Sequence, residues 1–284
     1  MDYASLPLHI NPIAFTIGPL SIKWYSLSYI AAILTVIALV GFRIRRGELQ
    51  KNFPRVPSQD LFSTLVDAVL WAAIGMLLGA RLGYVLFYGF SFYMNHPLSI
   101  FFPFNETSYQ GIYGMSFHGG LIGAIVAATI FAKKKNLPFL NLVNSVIPAI
   151  PLGYFWGRIG NFLNGELYGR KTSSSLGMYF PDDSQNFRHP SQLYEAFGEG
   201  LLVFLILWPL RNKEQLRNKF LPIYLILYGT IRFVIEFTRE PDPQIGLILG
   251  ILSMGQILCL AMMVTGFTFL QLKEPKQGRR GYIF

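Results

Sequence analysis

Of 284 residues, 52% are apolar and 14% charged, with 24 Lys and Arg against 15 Asp and Glu for a net charge of +9. Soluble domains carry about a quarter charged residues, which excludes one water-soluble globule, and 25 Phe, 15 Tyr and 4 Trp exclude a disordered chain. A lone cysteine, Cys259 in an apolar run, excludes an intrachain disulfide scaffold.

Crossing about 30 Å of hydrocarbon takes roughly 20 apolar residues. Seven candidate spans follow in chain order, at residues 26–42, 61–88, 117–132, 144–162, 191–210, 220–237 and 248–270, the third of them short. They predict an all-α polytopic membrane protein in which residues 1–284 form one integral-membrane domain with small loops on the outer face.

Short cytoplasmic loops concentrate Lys and Arg. Sixteen of the 24 basic residues follow the first, third, fifth and seventh spans: Arg43, Arg45, Arg46, Lys51 and Arg55; Lys133, Lys134 and Lys135; Arg211, Lys213, Arg217 and Lys219; Lys273, Lys276, Arg279 and Arg280. The opposite side holds Lys23, Arg170, Lys171, Arg188 and Arg239. The N-terminus is therefore expected outside and the C-terminus in the cytoplasm, which an odd number of spans satisfies. Residues 1–19 lack the basic and compact apolar regions of a cleavable signal peptide. The dispersed cations form no nucleic-acid groove, and no internal repeat of the kind transporters carry is evident.

Arg81, Arg158 and Arg232 fall within spans or at their ends, where each arginine costs about 2.5–3.5 kcal/mol at mid-membrane. The carboxylates in reach are Asp67, Glu166, Glu195, Glu199 and Glu236. Arg232 and Glu236 stand at i and i+4 and pair on one face, with Tyr228 on the same face. Glu195 and Glu199 have the same spacing and repel unless cations come between them. For Arg81 and Asp67 the expectation is an ion-pair network that orients helices; for Arg158 and Arg232 it is function.

Arg158 opens the run Arg158-Ile159-Gly160-Asn161-Phe162-Leu163-Asn164-Gly165-Glu166-Leu167-Tyr168-Gly169, preceded by Gly157. Glycines at 157 and 160 strip one helix face of side chains. Arg158 and Asn161 share a face, and a guanidinium fork suits a phosphate. His118, followed by Gly119 and Gly120 at the start of the third span, suits a proton acceptor or anion ligand. Four histidines without metal-ligand spacing predict no metal site, and no nucleotide or hydrolase motif appears.

These residues, together with Lys23-Trp24-Tyr25, Arg188 to Glu195 and Ser253-Met254-Gly255-Gln256, resemble the prolipoprotein diacylglyceryl transferase family over nearly the whole chain. Tyr168 stands where relatives often have tryptophan, and the loop between Arg170 and Arg188 is short. The resemblance implies a multi-pass enzyme of the bacterial inner membrane with its site toward the periplasm and no cofactor. It implies phosphatidylglycerol as donor and the lipobox cysteine thiol of a prolipoprotein as acceptor, with a thioether formed and glycerol 1-phosphate released, the first step of lipoprotein maturation. Carried onto this chain, it assigns Arg158 and Asn161 to the head group, Arg232 to phosphate with Glu236 holding it, and Glu166 with Gly169 to shaping the site. Tyr228 joins the lipid-binding set, and His118 or Tyr25 takes the thiol proton. A transport path through the intramembrane charges is the competing class, disfavoured because the polar motifs gather at one face.

Overall fold

The computed structural model describes residues 2–18, 20–101, 104–105, 108–109, 114–240, 246–248 and 250–272. Lys273, Lys276, Arg279 and Arg280, expected on the cytoplasmic side, lie outside the described residues. The described chain is mostly helical: α1 Trp24–Arg45, α2 Leu61–Phe87, α3 Phe90–Asn95, α4 Phe117–Lys134, α5 Phe139–Val146, α6 Ile150–Leu163, α7 Ser191–Glu195, α8 Val203–Leu210, α9 Phe220–Ile235 and α10 Met254–Gln271. Its strands make two-stranded antiparallel hairpins, among them Ile13–Ile17 with Leu20–Lys23 and Met178–Phe180 with Asp183–Arg188.

Among the described residues, six helical segments are long and apolar enough to cross a membrane: Trp24–Arg45, Leu61–Phe87, Phe139–Leu163, Ser191–Leu210, Phe220–Thr238 and Met254–Gln271. The expected third span is present as α4, an 18-residue helix outside that set, with His118 in its first turn and Lys133 and Lys134 in its last. The expected seventh span starts late, because Leu247–Ile248 and Leu252–Ser253 pair as a hairpin before α10 begins. Ser253 then caps α10: its Oγ accepts from Gln256 N at 3.2 Å and the Gln256 side chain accepts from Ser253 N at 3.0 Å, a reciprocal box.

The spans keep broad apolar surfaces. Ile74, Leu77, Leu78 and Leu82 on α2, and Val264 and Phe267 on α10, are all exposed. Surfaces of this kind are stable in lipid and not in water.

The chain divides into two compact units, one from the described residues of Met1–Leu49 and Val143–Gly281, the other from those of Gln50–Leu142. In the second unit α2 and α4 meet along two glycine rows. A Cβ on Gly79 would lie 2.8 Å from the Gly123 Cα, one on Gly83 2.9 Å from the Gly119 Cα, and one on Gly75 against the Ala127 Cβ. Backbones approach this closely only where side chains are absent, which substitutes van der Waals packing for the hydrophobic drive that lipid removes. Arg81, buried in α2, donates to the carbonyls of Ile100 at 2.6 Å, Ser99 at 2.8 Å and Gly114 at 3.3 Å, and stacks 4.9 Å over the Tyr93 ring. Arg81 and Asp67 are 14 residues apart on one helix, about 21 Å at about 1.5 Å per residue, so the two do not meet each other directly.

In the first unit α1 packs on α6, and α10 packs on α9. Ile147, Val203, Leu207 and Phe220 form one buried cluster; Phe162, Met178 and Phe180 form another, where the Met178–Arg188 hairpin covers the end of α6. Between α7 and α8 the helix widens to a π segment, Ala196–Leu202, that packs on α6. Such segments insert an extra residue and re-aim side chains, and they recur at functional sites.

Candidate functional site

The polar groups of the first unit converge where α6, the α7–π junction and the end of α9 meet. Glu195, the last residue of α7, and Glu199, in the π segment, are both 0% exposed. Cations do come between them. Arg232 NH1 lies 3.0 Å from Glu195 Oε2 and 3.4 Å from Glu199 Oε1, while its NH2 reaches Glu236 Oε2 at 3.1 Å. Arg158 Nε lies 2.8 Å from Glu195 Oε2 and donates to the Tyr154 hydroxyl at 2.7 Å. That hydroxyl sits 2.6 Å from Glu199 Oε2 and 3.2 Å from Glu195 Oε2. Arg239 NH1 pairs with Glu195 Oε1.

The cluster is layered. Its carboxylate floor at Glu195 and Glu199 is sealed, whereas the Arg158, Arg232 and Arg239 side chains keep 16%, 15% and 20% exposure. An anion approaching from the open side meets guanidinium first. A guanidinium has five N–H donors, so pairing with the floor leaves each arginine donors to offer. A Cβ on Gly157 would meet nothing within 4 Å, so the backbone next to Arg158 borders open space.

The run after Arg158 folds back beneath this cluster. Asn164 ends α6, and Gly165 takes φ +71°, the left-handed conformation that closes helices, with its N–H on the Phe162 carbonyl at 3.0 Å. The turn delivers Glu166 to Asn161 Nδ2 at 2.8 Å and to Asn164 Nδ2 at 2.9 Å, while Arg158 NH1 donates to Asn161 Oδ1 at 3.2 Å. Buried Gln192 donates to the Glu166 carbonyl at 2.6 Å, and Ser191 Oγ to the Leu167 carbonyl at 3.0 Å. Leu167, a non-glycine at φ +60°, is held in that costly conformation by these contacts.

Gly169 is a point of close approach: a Cβ there would run into the Thr238 carbonyl, and Gly169 N donates to the His189 carbonyl at 2.8 Å. Arg188 ties the loops together, donating to Asp183 Oδ2 at 2.6 Å, Glu240 Oε2 at 2.5 Å and the Gly169 carbonyl at 3.4 Å, with its guanidinium 5.4 Å over the Tyr168 ring. Hydrogen bonds from Asn186 and Arg188 hold the Asp183 carboxyl below the usual carboxylate range. Burial lowers His189 below 6.5.

The structure thus brings together Arg158, Asn161, Glu166, Arg232 and Glu236, and sets Tyr228 edge-on to Tyr154 with centroids 5.9 Å apart. Gly169 lies in the loop bonded to the end of α9. Tyr25, half-buried in α1, shares a 3.1 Å hydroxyl contact with Tyr29. His118 belongs to the second unit and is exposed beside Phe117 in the first turn of α4. Sequence reasoning missed Tyr154, although it stands one turn before Arg158 on the same face. It took Arg239 for a loop cation, although its spacing of three from Glu236 was visible. Ser253, part of the Ser253–Gln256 run, donates to Glu236 Oε1 at 3.0 Å, a contact its place in the sequence does not reveal.

The sequence profile of the prolipoprotein diacylglyceryl transferase family matches residues 12–272. Similar proteins include one from Chlorobaculum tepidum, 46% identical over 93% of this chain and 90% of the relative, and one from Rickettsia felis, 45% identical over 94% and 98%. A third, from Rickettsia bellii, is 45% identical over 91% and 93%. All three are named phosphatidylglycerol–prolipoprotein diacylglyceryl transferase. A multi-pass membrane chain of this sequence, helical throughout its spans, belongs to the prolipoprotein diacylglyceryl transferase family.

Proposed function

We propose that this chain transfers the diacylglyceryl group of phosphatidylglycerol to the lipobox cysteine of prolipoproteins, at the periplasmic side of a bacterial inner membrane. The observation that carries this reading is the layer of three partly exposed guanidiniums, Arg158, Arg232 and Arg239, over a sealed carboxylate floor. In the reaction a thiolate sulfur attacks a glycerol carbon, the carbon–oxygen bond to phosphate breaks, and glycerol 1-phosphate departs with the electron pair. Negative charge grows on the phosphate, and prepositioned donors lower that barrier without reorganising.

Arg158 and Asn161 receive the head group, and Arg232 takes the phosphate while Glu236 holds it. Glu166 and Gly169 shape the seat, and Tyr228 lines it. A thiol with a pKa of about 8.5 must lose its proton to attack, and His118 or Tyr25 is the acceptor. A bilayer orientation with the N-terminus outside requires α4, third in chain order, to cross as well, which brings the crossings to seven. Its 18 residues span about 27 Å at about 1.5 Å per residue, close to the hydrocarbon thickness.

The test is a transfer assay in detergent or liposomes with phosphatidylglycerol and a lipobox peptide carrying Cys or Ser. A diacylglyceryl mass gain on the Cys peptide alone, abolished by Arg158→Ala, is expected. No gain from a folded sample overturns the reading.

A further inference from the structure

We propose that Glu195 is a positioning residue that sets how tightly the arginine layer grips its anion, so that the released phosphate monoester can leave; this rests on the transferase reading above. Three guanidiniums share this one carboxylate. Arg158 Nε and Arg232 NH1 lie 2.8 and 3.0 Å from Oε2, and Arg239 NH1 pairs with Oε1. Among the described residues, no other side chain pairs with all three. The Tyr154 hydroxyl, 3.2 Å from Oε2, helps to fix the carboxylate, which is 0% exposed and out of reach of an incoming ligand.

The chemistry gives this arrangement a purpose. The donor is a phosphodiester with one negative charge. When the carbon–oxygen bond breaks, the leaving group becomes a monoester whose second ionisation lies near pH 6, so it carries about −1.5 to −2 at neutral pH. The product is therefore more anionic than the substrate. Three arginines without a counter-charge would bind it more strongly than the donor, and release would limit turnover. A buried carboxylate beneath them lowers their field on the product while holding the forks apart from one another and aimed outward. Glu199 also partners Arg232, and Glu236 also partners both Arg232 and Arg239 Nε, the latter at 3.5 Å, but Glu195 is the carboxylate that joins Arg158 to the other two.

Isothermal titration of the full chain in detergent with glycerol 1-phosphate and, separately, inorganic phosphate tests this, alongside kcat and KM for phosphatidylglycerol. Glu195→Gln, an isostere without the charge, is expected to bind glycerol 1-phosphate about tenfold more tightly and to lose kcat more than it changes KM. Glu195→Asp, which keeps the charge but draws it back by one methylene, falls between Glu195→Gln and the unaltered chain. If Glu195→Gln does not fold, Glu195→Asp decides alone: affinity equal to or weaker than that of the unaltered chain overturns the proposal. So does unchanged or weakened anion binding in folded Glu195→Gln. Binding is read without transfer, so anion affinities that follow Glu195 in a protein forming no thioether would overturn the transferase reading instead.

Discussion

The carboxylate of Glu236 occupies the space that a side chain at Gly255 would need: a Cβ there would lie 2.7 Å from the Glu236 Cδ. Gly255 follows the N-cap Ser253 by two residues, and Ser253 Oγ donates to the same carboxylate at 3.0 Å. The start of α10 is thus a seat for the residue that orients Arg232.

Gly255→Ala should displace Glu236 and, through it, Arg232. One charge-assisted hydrogen bond contributes about 1.5–3 kcal/mol, so turnover should fall roughly ten- to a hundredfold with only a modest loss of thermal stability. Parallel melting curves and transfer rates check this; unchanged turnover would mean that Glu236 does not orient Arg232.

Replacing Arg158 by Lys keeps the charge and removes the fork. Arg158 uses Nε for Glu195 and Tyr154 and NH1 for Asn161, and an ammonium cannot reproduce that spread. Activity should drop by about tenfold or more in Arg158→Lys and further in Arg158→Ala. Full activity in the lysine variant would rule out recognition by guanidinium geometry.

Gly157→Ala separates packing from access. A Cβ at 157 meets nothing within 4 Å, and alanine favours helix over glycine by about 0.5–1 kcal/mol. The melting temperature should hold or rise slightly. A loss of transfer in that same protein, with KM for phosphatidylglycerol raised severalfold, would place the lipid along this face.

The Met178–Arg188 hairpin and its neighbour should loosen as pH falls, in two stages. His189 has its folded pKa lowered from 6.5 by burial, so the open form takes up a proton first and local stability declines as pH drops below about 6.5. Asp183 has its folded pKa lowered from 3.8, so its contribution is complete above that value and is lost on further acidification. Protection factors at 178–189, with the pH dependence of intrinsic exchange divided out, should fall between pH 7 and 5. His189→Gln should remove this first stage only; an unaltered profile in that variant would exclude His189 as its cause.

The spans bounded by sharp polar signals were legible. Leu61–Phe87 and Ser191–Leu210 lie almost where hydropathy and the flanking charged or proline residues put them. The π segment was not, because hydropathy records which residues are apolar and not the phase of their backbone hydrogen bonds. The Leu247–Ser253 hairpin reads as part of the last span for a related reason: a short apolar run reads alike as strand or helix. In the site, Arg232 and Glu236 followed from spacing on one helix, and the need for cations between Glu195 and Glu199 followed from electrostatics. Which cations came was a matter of tertiary structure. Arg239 lies three residues past Glu236, but its reach to Glu195, across 44 residues of chain, is set by the packing of the segments and not by any spacing.

The order of charges along the chain also bears on how the protein enters the bilayer. A carboxylate-bearing segment released alone into lipid would carry Glu195 and Glu199 unpaired, at a cost of several kcal/mol. The segment before it, α6, brings Arg158 and Tyr154, the partners those carboxylates meet in the finished fold. The two segments therefore favour leaving the insertion machinery as a hairpin in which Arg158 offsets Glu195 and the Tyr154 hydroxyl hydrogen-bonds Glu199. The segment after them, α9, arrives with Arg232 and Glu236 already paired one turn apart. Synthesis from N- to C-terminus thus gives Glu195 and Glu199 a first partner already made, and Arg232 and Arg239 complete their pairing when α9 arrives.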